Sequence, residues 1–216
     1  MIEEIKHIVR LQNIVKTYRQ GKVDVHAVNG VSLNIESGDF AALCGPSGSG
    51  KTSILNLIGG LDVPSSGKVW IDDIDLSTLD STELSQVRKN RIGFVFQSYN
   101  LIPVMTAYEN AEFVLSLQGM NERDCRDRVM QTLKAVGLEG LESRRPDEMS
   151  GGQQQRVAIA RAIVTNPAIV LADEPTANVD SQTAESLLDL MQQLNRQQGI
   201  TFLFSTHDQH VMDRAK

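Results

Sequence analysis

Only two cysteines occur in the 216 residues, and their positions share no metal-ligand spacing, so neither a disulfide framework nor a thiolate metal centre is expected. Cys44 lies in an apolar strand candidate and Cys125 in a charged helical stretch, and both read as free thiols. Positive charge is also short: 21 Lys and Arg face 27 Asp and Glu, and a net charge of −6 argues against a nucleic-acid partner, whose phosphates require a basic face. No apolar run approaches the length of a membrane span, and the opening Met1–Lys6, with Glu3 and Glu4, lacks the apolar core of a secretory signal. These absences predict a soluble, cytoplasmic chain. Its length suits one large domain with room for an inserted subdomain.

What is present is organised around Gly45-Pro46-Ser47-Gly48-Ser49-Gly50-Lys51-Thr52, which follows the apolar strand candidate Phe40 to Cys44 and opens a helix from Ser53 to Ile58. Strand, loop and helix in that order make this a phosphate-binding loop. Its glycines let consecutive backbone N–H groups face phosphate oxygens, and the helix N-terminus adds partial positive charge. Lys51 supplies a point charge for the β and γ phosphates, Thr52 a hydroxyl for Mg²⁺, and Ser53 stands at the helix start beside them. Such a loop defines a superfamily without choosing a function within it.

Upstream, Ile8 to Tyr18 and Val25 to Ile35 alternate β-branched and polar residues as antiparallel strands do. Tyr18, at the end of the first, suits either a ring stacked on a base or an ordinary half-buried strand position. Downstream come a turn at Leu61–Gly67, a strand at Lys68–Ile71 and a helix at Asp80–Asn90, then a strand at Arg91–Phe96 that ends at Gln97. A neutral amide there can touch a cation and a water without adding charge, and it equally suits a plain strand end. Residues 98–149 contain no strand candidate, with helices over Ala107–Leu117 and Glu122–Val136, and the mixed charges of 121–128 read as a solvated helix face.

Ser150-Gly151-Gly152-Gln153 precedes a helix expected over Gln154–Val164. Ser150 suits an N-cap, and the glycines leave the helix end bare enough to receive an anion; a capped helix after a flexible turn has the same sequence. Ala168–Ala172 is a continuous apolar strand that ends in Asp173-Glu174, placing one acid to reach Mg²⁺ and the next to act as general base. A helix over Ser181–Gln198 and a buried strand over Ile200–Thr206 follow. His207 then lies at a strand's carboxyl end, where it can bond a γ-phosphate, whereas His7, His26 and His210 lack such a setting.

This order of motifs resembles that of ABC-transporter ATPase subunits over nearly the whole chain, most specifically at Met149-Ser150-Gly151-Gly152-Gln153-Gln154-Gln155-Arg156, which is similar to the family signature. The resemblance implies an α/β fold, a P-loop NTPase (RecA-like) core with an antiparallel β subdomain and an inserted α-helical subdomain, in a single ABC ATPase domain. Residues 1–97 and 155–216 would form the core, and 98–154 the helical subdomain with the signature. It implies ATP and Mg²⁺ as cofactors, Thr52, Gln97 and Asp173 as metal ligands, and Glu174, His207 and Gln97 as catalytic residues. Tyr18 then resembles the base-stacking aromatic, Gln97 the Q-loop residue, Ala177–Asp180 the D-loop and His207 the switch histidine. Asp180 and the signature residues Ser150, Gly151, Gly152 and Gln153 would serve a nucleotide bound to a second copy of the chain. An integral membrane permease subunit is the other implied partner, which would put the chain on the cytoplasmic face of the inner (plasma) membrane.

Within the family, Leu57–Asp62, Arg91–Gln97, Asn100–Pro103 and Thr106–Asn110 are similar to the branch serving lipoprotein release, macrolide export and FtsX-type cell-division complexes. Amino-acid importers share parts of this pattern, so an importer ATPase and a non-transport regulatory ATPase are the alternatives. Chromosome-structure relatives carry long coiled-coil insertions and translation factors carry paired cassettes, and neither feature is here. Three departures stand out: Met149 and Val179 occupy positions where Leu is commoner, and the chain stops at Lys216 where family members continue into further strands, so that either the chain is truncated or the edge of the sheet is missing, which would leave pairing groups exposed.

Overall fold

The computed structural model describes residues 6–21 and 23–216, so the reading of the first residues as lacking a signal lies largely outside them. Long strands β1 (His7–Gln20) and β2 (Val23–Glu36) pair antiparallel, as their alternation predicts. They join β4 (Ser66–Ile71) and β5 (Ile74–Asp75) in a sheet ordered β2-β1-β4-β5. The short β5 is not foreseen from the sequence. Asp72 and Asp73 both take left-handed φ, 47° and 65°, which turns the chain back in a two-residue hairpin.

The second sheet is parallel and ordered β3-β8-β7-β6, from β3 (Phe40–Cys44), β6 (Ile92–Val95), β7 (Ile169–Asp173) and β8 (Phe202–Thr206). Its strands are buried on both faces, so they read as continuous apolar runs. Alternation divides those runs between two cores. Val170, Ala172, Phe202 and Phe204 face one core with helices α3 (Ala107–Leu117), α4 (Glu122–Ala135), α5 (Gly151–Ile163) and α6 (Ser181–Gln198). Ile169, Leu171 and Leu203 face the other, shared with α1 (Lys51–Ile58), α2 (Ser81–Arg91) and the antiparallel sheet. Phe202 and Phe204 have no exposed surface, and truncating either to Ala should cost ~3–5 kcal/mol. The short α7 (Gln209–Met212) follows β8, and at the open edge of β3 the Lys216 backbone donates to the Phe40 carbonyl and accepts from the Ala42 N–H, so that stretch of edge is paired.

Two expectations need correction. α5 begins at Gly151, not Gln154, because Ser150 Oγ accepts from the Gln153 N–H while Gln153 Oε1 accepts from the Ser150 N–H, drawing both glycines into the first turn. The 154/155 division thus falls inside one continuous helix. The charged run 121–128 is not wholly solvated: Cys125, with Val129 and Leu133 one and two turns on, is buried. Burial and the neighbouring Glu112 carboxylate push the Cys125 thiol up, which keeps it protonated and inert. Both cysteines are free, Cys44 being exposed despite its apolar strand. No helix among the described residues is long and apolar enough to cross a membrane.

Candidate functional site

The parallel strands end together, and the candidate residues sit at those carboxyl ends. β3 runs through Cys44 into the loop Gly45–Gly50 and then α1, whose N-cap Gly50 has φ 89°. A Cβ there would meet the Ala27 carbonyl oxygen at 2.2 Å, so glycine is required both for the turn and for the approach of β2. No side chain caps α1. Lys51 is buried and donates from Nζ to the carbonyls of Gly45 and Pro46, at 2.7 and 3.0 Å, folding back over the loop.

Thr52 and Asp173, far apart in sequence, are brought together by the neighbouring positions of α1 and β7, with Thr52 Oγ1 3.2 Å from each carboxylate oxygen. One hydroxyl and one carboxylate form an all-oxygen donor pair suited to a hard cation that keeps waters and phosphates as its other ligands. No group of three or more His, Cys, Asp or Glu among the described residues could hold a metal by itself. The donor chemistry therefore fits Mg²⁺ shared with a nucleotide.

Glu174 follows in a left-handed conformation, φ 46°, at a cost of ~1–2 kcal/mol for a residue with a Cβ. Its N–H donates to the Ser205 carbonyl, and its own carbonyl accepts from the Ala177 N–H. Its Oε1 lies 2.7 Å from His207 Nδ1. An ionised carboxylate only accepts, so Nδ1 carries the proton in this arrangement. The side chain of Glu174 is 16% exposed and that of His207 is 62% exposed, which leaves the imidazole at the mouth.

The remaining candidates are placed less directly. Gln97 leaves the sheet two residues beyond Val95, which pairs with Ala172, so it emerges beside the acidic strand end; its side chain is exposed and makes no hydrogen bond among the described residues. Tyr18 donates its hydroxyl to Asp62 Oδ2 at 2.8 Å, and Lys16 Nζ sits 4.8 Å from its ring centroid, so one face and the hydroxyl are already engaged. Asp180 caps α6 of its own chain, accepting from the Thr183 N–H and hydroxyl, and these bonds hold its carboxyl below its ordinary range. The end of α5 is not bare, since Ser150 and Gln153 cap one another. No hydrogen bond among the described residues joins Ser150–Gln153 to Gly45–Ser53. Local sequence does not disclose the Lys16–Asp62–Tyr18 cluster or the Arg161 contacts described below, because each links segments distant in the chain.

A parallel sheet with a glycine-rich loop feeding a helix at its carboxyl edge, and an acid pair at the end of β7, one strand removed from β3, defines a P-loop nucleoside triphosphatase. Comparison with known proteins narrows this. Residues 28–177 match the ABC transporter family model. The uncharacterized ABC transporter ATP-binding protein MJ0796 of Methanocaldococcus jannaschii is 46% identical over 208 residues, covering 94% of this chain and 88% of that protein. The structure of MJ0796 as a dimeric post-hydrolysis state bound to ADP and Pi superposes with a TM-score of 0.88, at 45% identity, covering 96% of this chain and 91% of that one. The macrolide export ATP-binding/permease protein MacB of Syntrophobacter fumaroxidans is 44% identical over 211 residues, which are 97% of this chain but 30% of that protein. The chain belongs to the ABC transporter family and is an ATP-binding, ATP-hydrolysing cassette.

Proposed function

We propose that this chain is the ATPase subunit of an export-type transporter, closing as a pair around two ATP molecules and moving an integral membrane permease. The observation that carries the two-chain reading is the placement of acids at helix ends. α2, α3 and α4 carry Glu83, Glu109, and Glu122 with Asp124 in their first turns, and α6 and α7 are capped by Asp180 and Asp208. α1 and α5 have no acid at either position. At both ends the helix's own cap and first turn set no carboxylate against an outside anion, which gains from the helix dipole; Asp173, beside Thr52 at α1, is the acid read as a Mg²⁺ ligand. One triphosphate on α1 of its own chain and α5 of a second copy, repeated by C₂ symmetry, satisfies both. The dimeric MJ0796 relative supports that pairing.

In hydrolysis the loop amides and Lys51, swung away from Gly45 and Pro46, hold the phosphates. Thr52, Asp173 and Gln97 would hold Mg²⁺, which when bound offsets the phosphate charge. Glu174 accepts a proton from water as the water oxygen bonds the γ-phosphorus and the bridging bond to ADP breaks. His207, released from Glu174, bonds the γ-phosphate. Tyr18 stacks on the base, and Asp180 and Gly151–Gln153 complete the pocket of the opposite chain.

Segment 98–154 is read as the helical subdomain and the rest as the core, with the permease docking between them. There an apolar groove of about 660 Å³ is lined by Phe94, Phe96, Phe113, Val114 and Leu117. This placement implies the cytoplasmic membrane face, and the MacB relative favours the export branch over an importer or a cell-division type. Glu174→Gln tests the reading. Turnover should fall ~10²–10⁴-fold while binding survives, and the variant should accumulate as an ATP-bound dimer by light scattering. Near-parental phosphate release would remove Glu174 from the role of base, and a dead variant that stays monomeric in saturating ATP would count against the pair.

A further inference from the structure

Asn178 lies in the turn between the acidic end of β7 and α6, and two of its groups reach a different loop. Its Nδ2 donates to the Gln97 carbonyl at 2.9 Å, and its own carbonyl accepts from the Tyr99 hydroxyl at 3.1 Å. The same loop is held on another side by α5. Arg161 donates to the Tyr99 carbonyl at 2.8 Å and to the Asn100 carbonyl, both residues being left-handed with φ 58° and 49°. The Tyr99 hydroxyl also lies 2.8 Å from where a Cβ on Gly151 would stand, so the first residue of α5 has to be glycine for the ring to sit there. Gln155, on the same helix, donates to the Pro175 carbonyl at 2.7 Å. Residues 97–100 are thus clamped between α5 and the turn that starts at Glu174.

We infer that Asn178, together with Tyr99, is a positioning residue for hydrolysis, coupling the loop 97–100 to the turn that carries Glu174. Phe96, Asn100 and Ile102 line the apolar groove, so an occupant that displaces them pulls on the carbonyl Asn178 holds. The two bonds run in opposite donor directions between the same pair of loops, so neither loop shifts without the other. The ties hold the Gln97 carbonyl and not the side chain read as a Mg²⁺ ligand, and no hydrogen bond among the described residues joins these loops to Gly45–Ser53, so the coupling acts on the base with little effect on ATP affinity. The inference rests on reading Glu174 as the general base.

The test uses Asn178→Asp, which keeps the shape but sets an acceptor against the Gln97 carbonyl, and Tyr99→Phe, which removes the second bond with no change of shape. Each should lower kcat about 2- to 10-fold, the span that one net hydrogen bond corresponds to, with KM for ATP held within about twofold. Amide hydrogen exchange provides a readout that local destabilisation would not mimic. Tyr99→Phe should speed exchange in 175–180 and Asn178→Asp in 97–103, with the double variant no worse than the more affected single one. Exchange changes confined to the mutated loop, or a rise in KM at parental kcat, overturn the inference. If Asn178→Asp does not fold, the Tyr99→Phe exchange pattern decides alone. A Glu174→Gln control separates the failures: hydrolysis surviving in that control removes the base reading, whereas a dead control beside parental kcat in both tie variants removes the coupling only.

Discussion

The N-termini of α1 and α5 carry the same kind of positive end and solve it in opposite ways. At α1 the cap is a left-handed glycine, no side chain reaches the first-turn amides, and the nearest cation, Lys51, is folded onto loop carbonyls. At α5 Ser150 and Gln153 satisfy one another. Because Ser150 Oγ already accepts from the Gln153 N–H, its hydroxyl hydrogen is free to be donated outward. The first end is complete only with an anion on it, while the second is complete by itself and can wait for one. The proposed cycle, in which nucleotide binds a single chain that closes later on a second copy, would use this asymmetry: a fixed primary site, and a stable second surface with one donor to add.

The strongest way to break the comparison is Lys51→Ala. It removes the point charge at the α1 end, and with hydrogen bonds to a charged group worth ~1.5–3 kcal/mol each, ATP affinity should drop on the order of 10²-fold. Titration with a fluorescent nucleotide that showed parental affinity, with turnover also unchanged, would remove the phosphate-loop assignment. Ser150→Arg should separate the two ends. Turnover and ATP-driven dimerisation should be lost, while the single chain binds ATP within about twofold of parental, since hydrogen bonds to the phosphates in one chain come from α1. An affinity loss equal to that of the Lys51 variant would place Ser150 in its own chain's pocket. Gln153→Ala should have a smaller effect, removing half of the reciprocal cap at ~0.5–1 kcal/mol, or about 1–4 °C in Tm, with no counterpart at the glycine-capped α1.

How far these features were legible depends on whether their cause is local. The strand Ile169–Asp173 and helix Ser181–Gln198 announce themselves: a parallel strand buried on both faces has no room for polar residues before its end, and Gly199, left-handed at φ 68°, closes α6 as a glycine C-cap should. The acids and His207 inherit their places from those strand ends. The start of α5 is not legible locally because two glycines suggest a turn, and only the closed Ser150–Gln153 pair shows that the helix already includes them. Cys125 was hidden by charged neighbours, although its spacing from Val129 and Leu133 draws an inward stripe. The ties of Asn178 and Arg161 had no sequence signal at all, since each joins a side chain to a backbone carbonyl, and any residue supplies a carbonyl.

The smallest expected effect sharpens the comparison from the side of the base. Asp62 leaves the end of α1, its N–H bonded to the Asn56 carbonyl, and its carboxylate accepts from Lys16 Nζ at 2.6 Å, the Tyr18 hydroxyl at 2.8 Å and the Val63 N–H at 2.7 Å. Burial alone would raise its pKa, but the bonds from Lys16, Tyr18 and Val63 outweigh it and hold the carboxyl below its ordinary value. A depressed folded pKa contributes stability that is fully present above the unfolded carboxyl pKa of about 3.9 and is lost as pH falls through the lower folded value. Asp62→Asn should therefore cost ~0.5–1 kcal/mol near pH 7, and its deficit against the parent should shrink below about pH 4. Urea midpoints measured from pH 7 down to pH 3 give this directly, and a deficit constant across the range would show that the carboxylate charge contributes nothing. The same variant loosens Tyr18, which is tied to α1 and not to α5. ATP affinity of the single chain should weaken about two- to threefold, a fraction of one base-stacking contact, while dimerisation at saturating ATP stays parental. Dimerisation failing where binding holds would mean that the α1 and α5 ends are not separable, and the asymmetry between them would have to be given up.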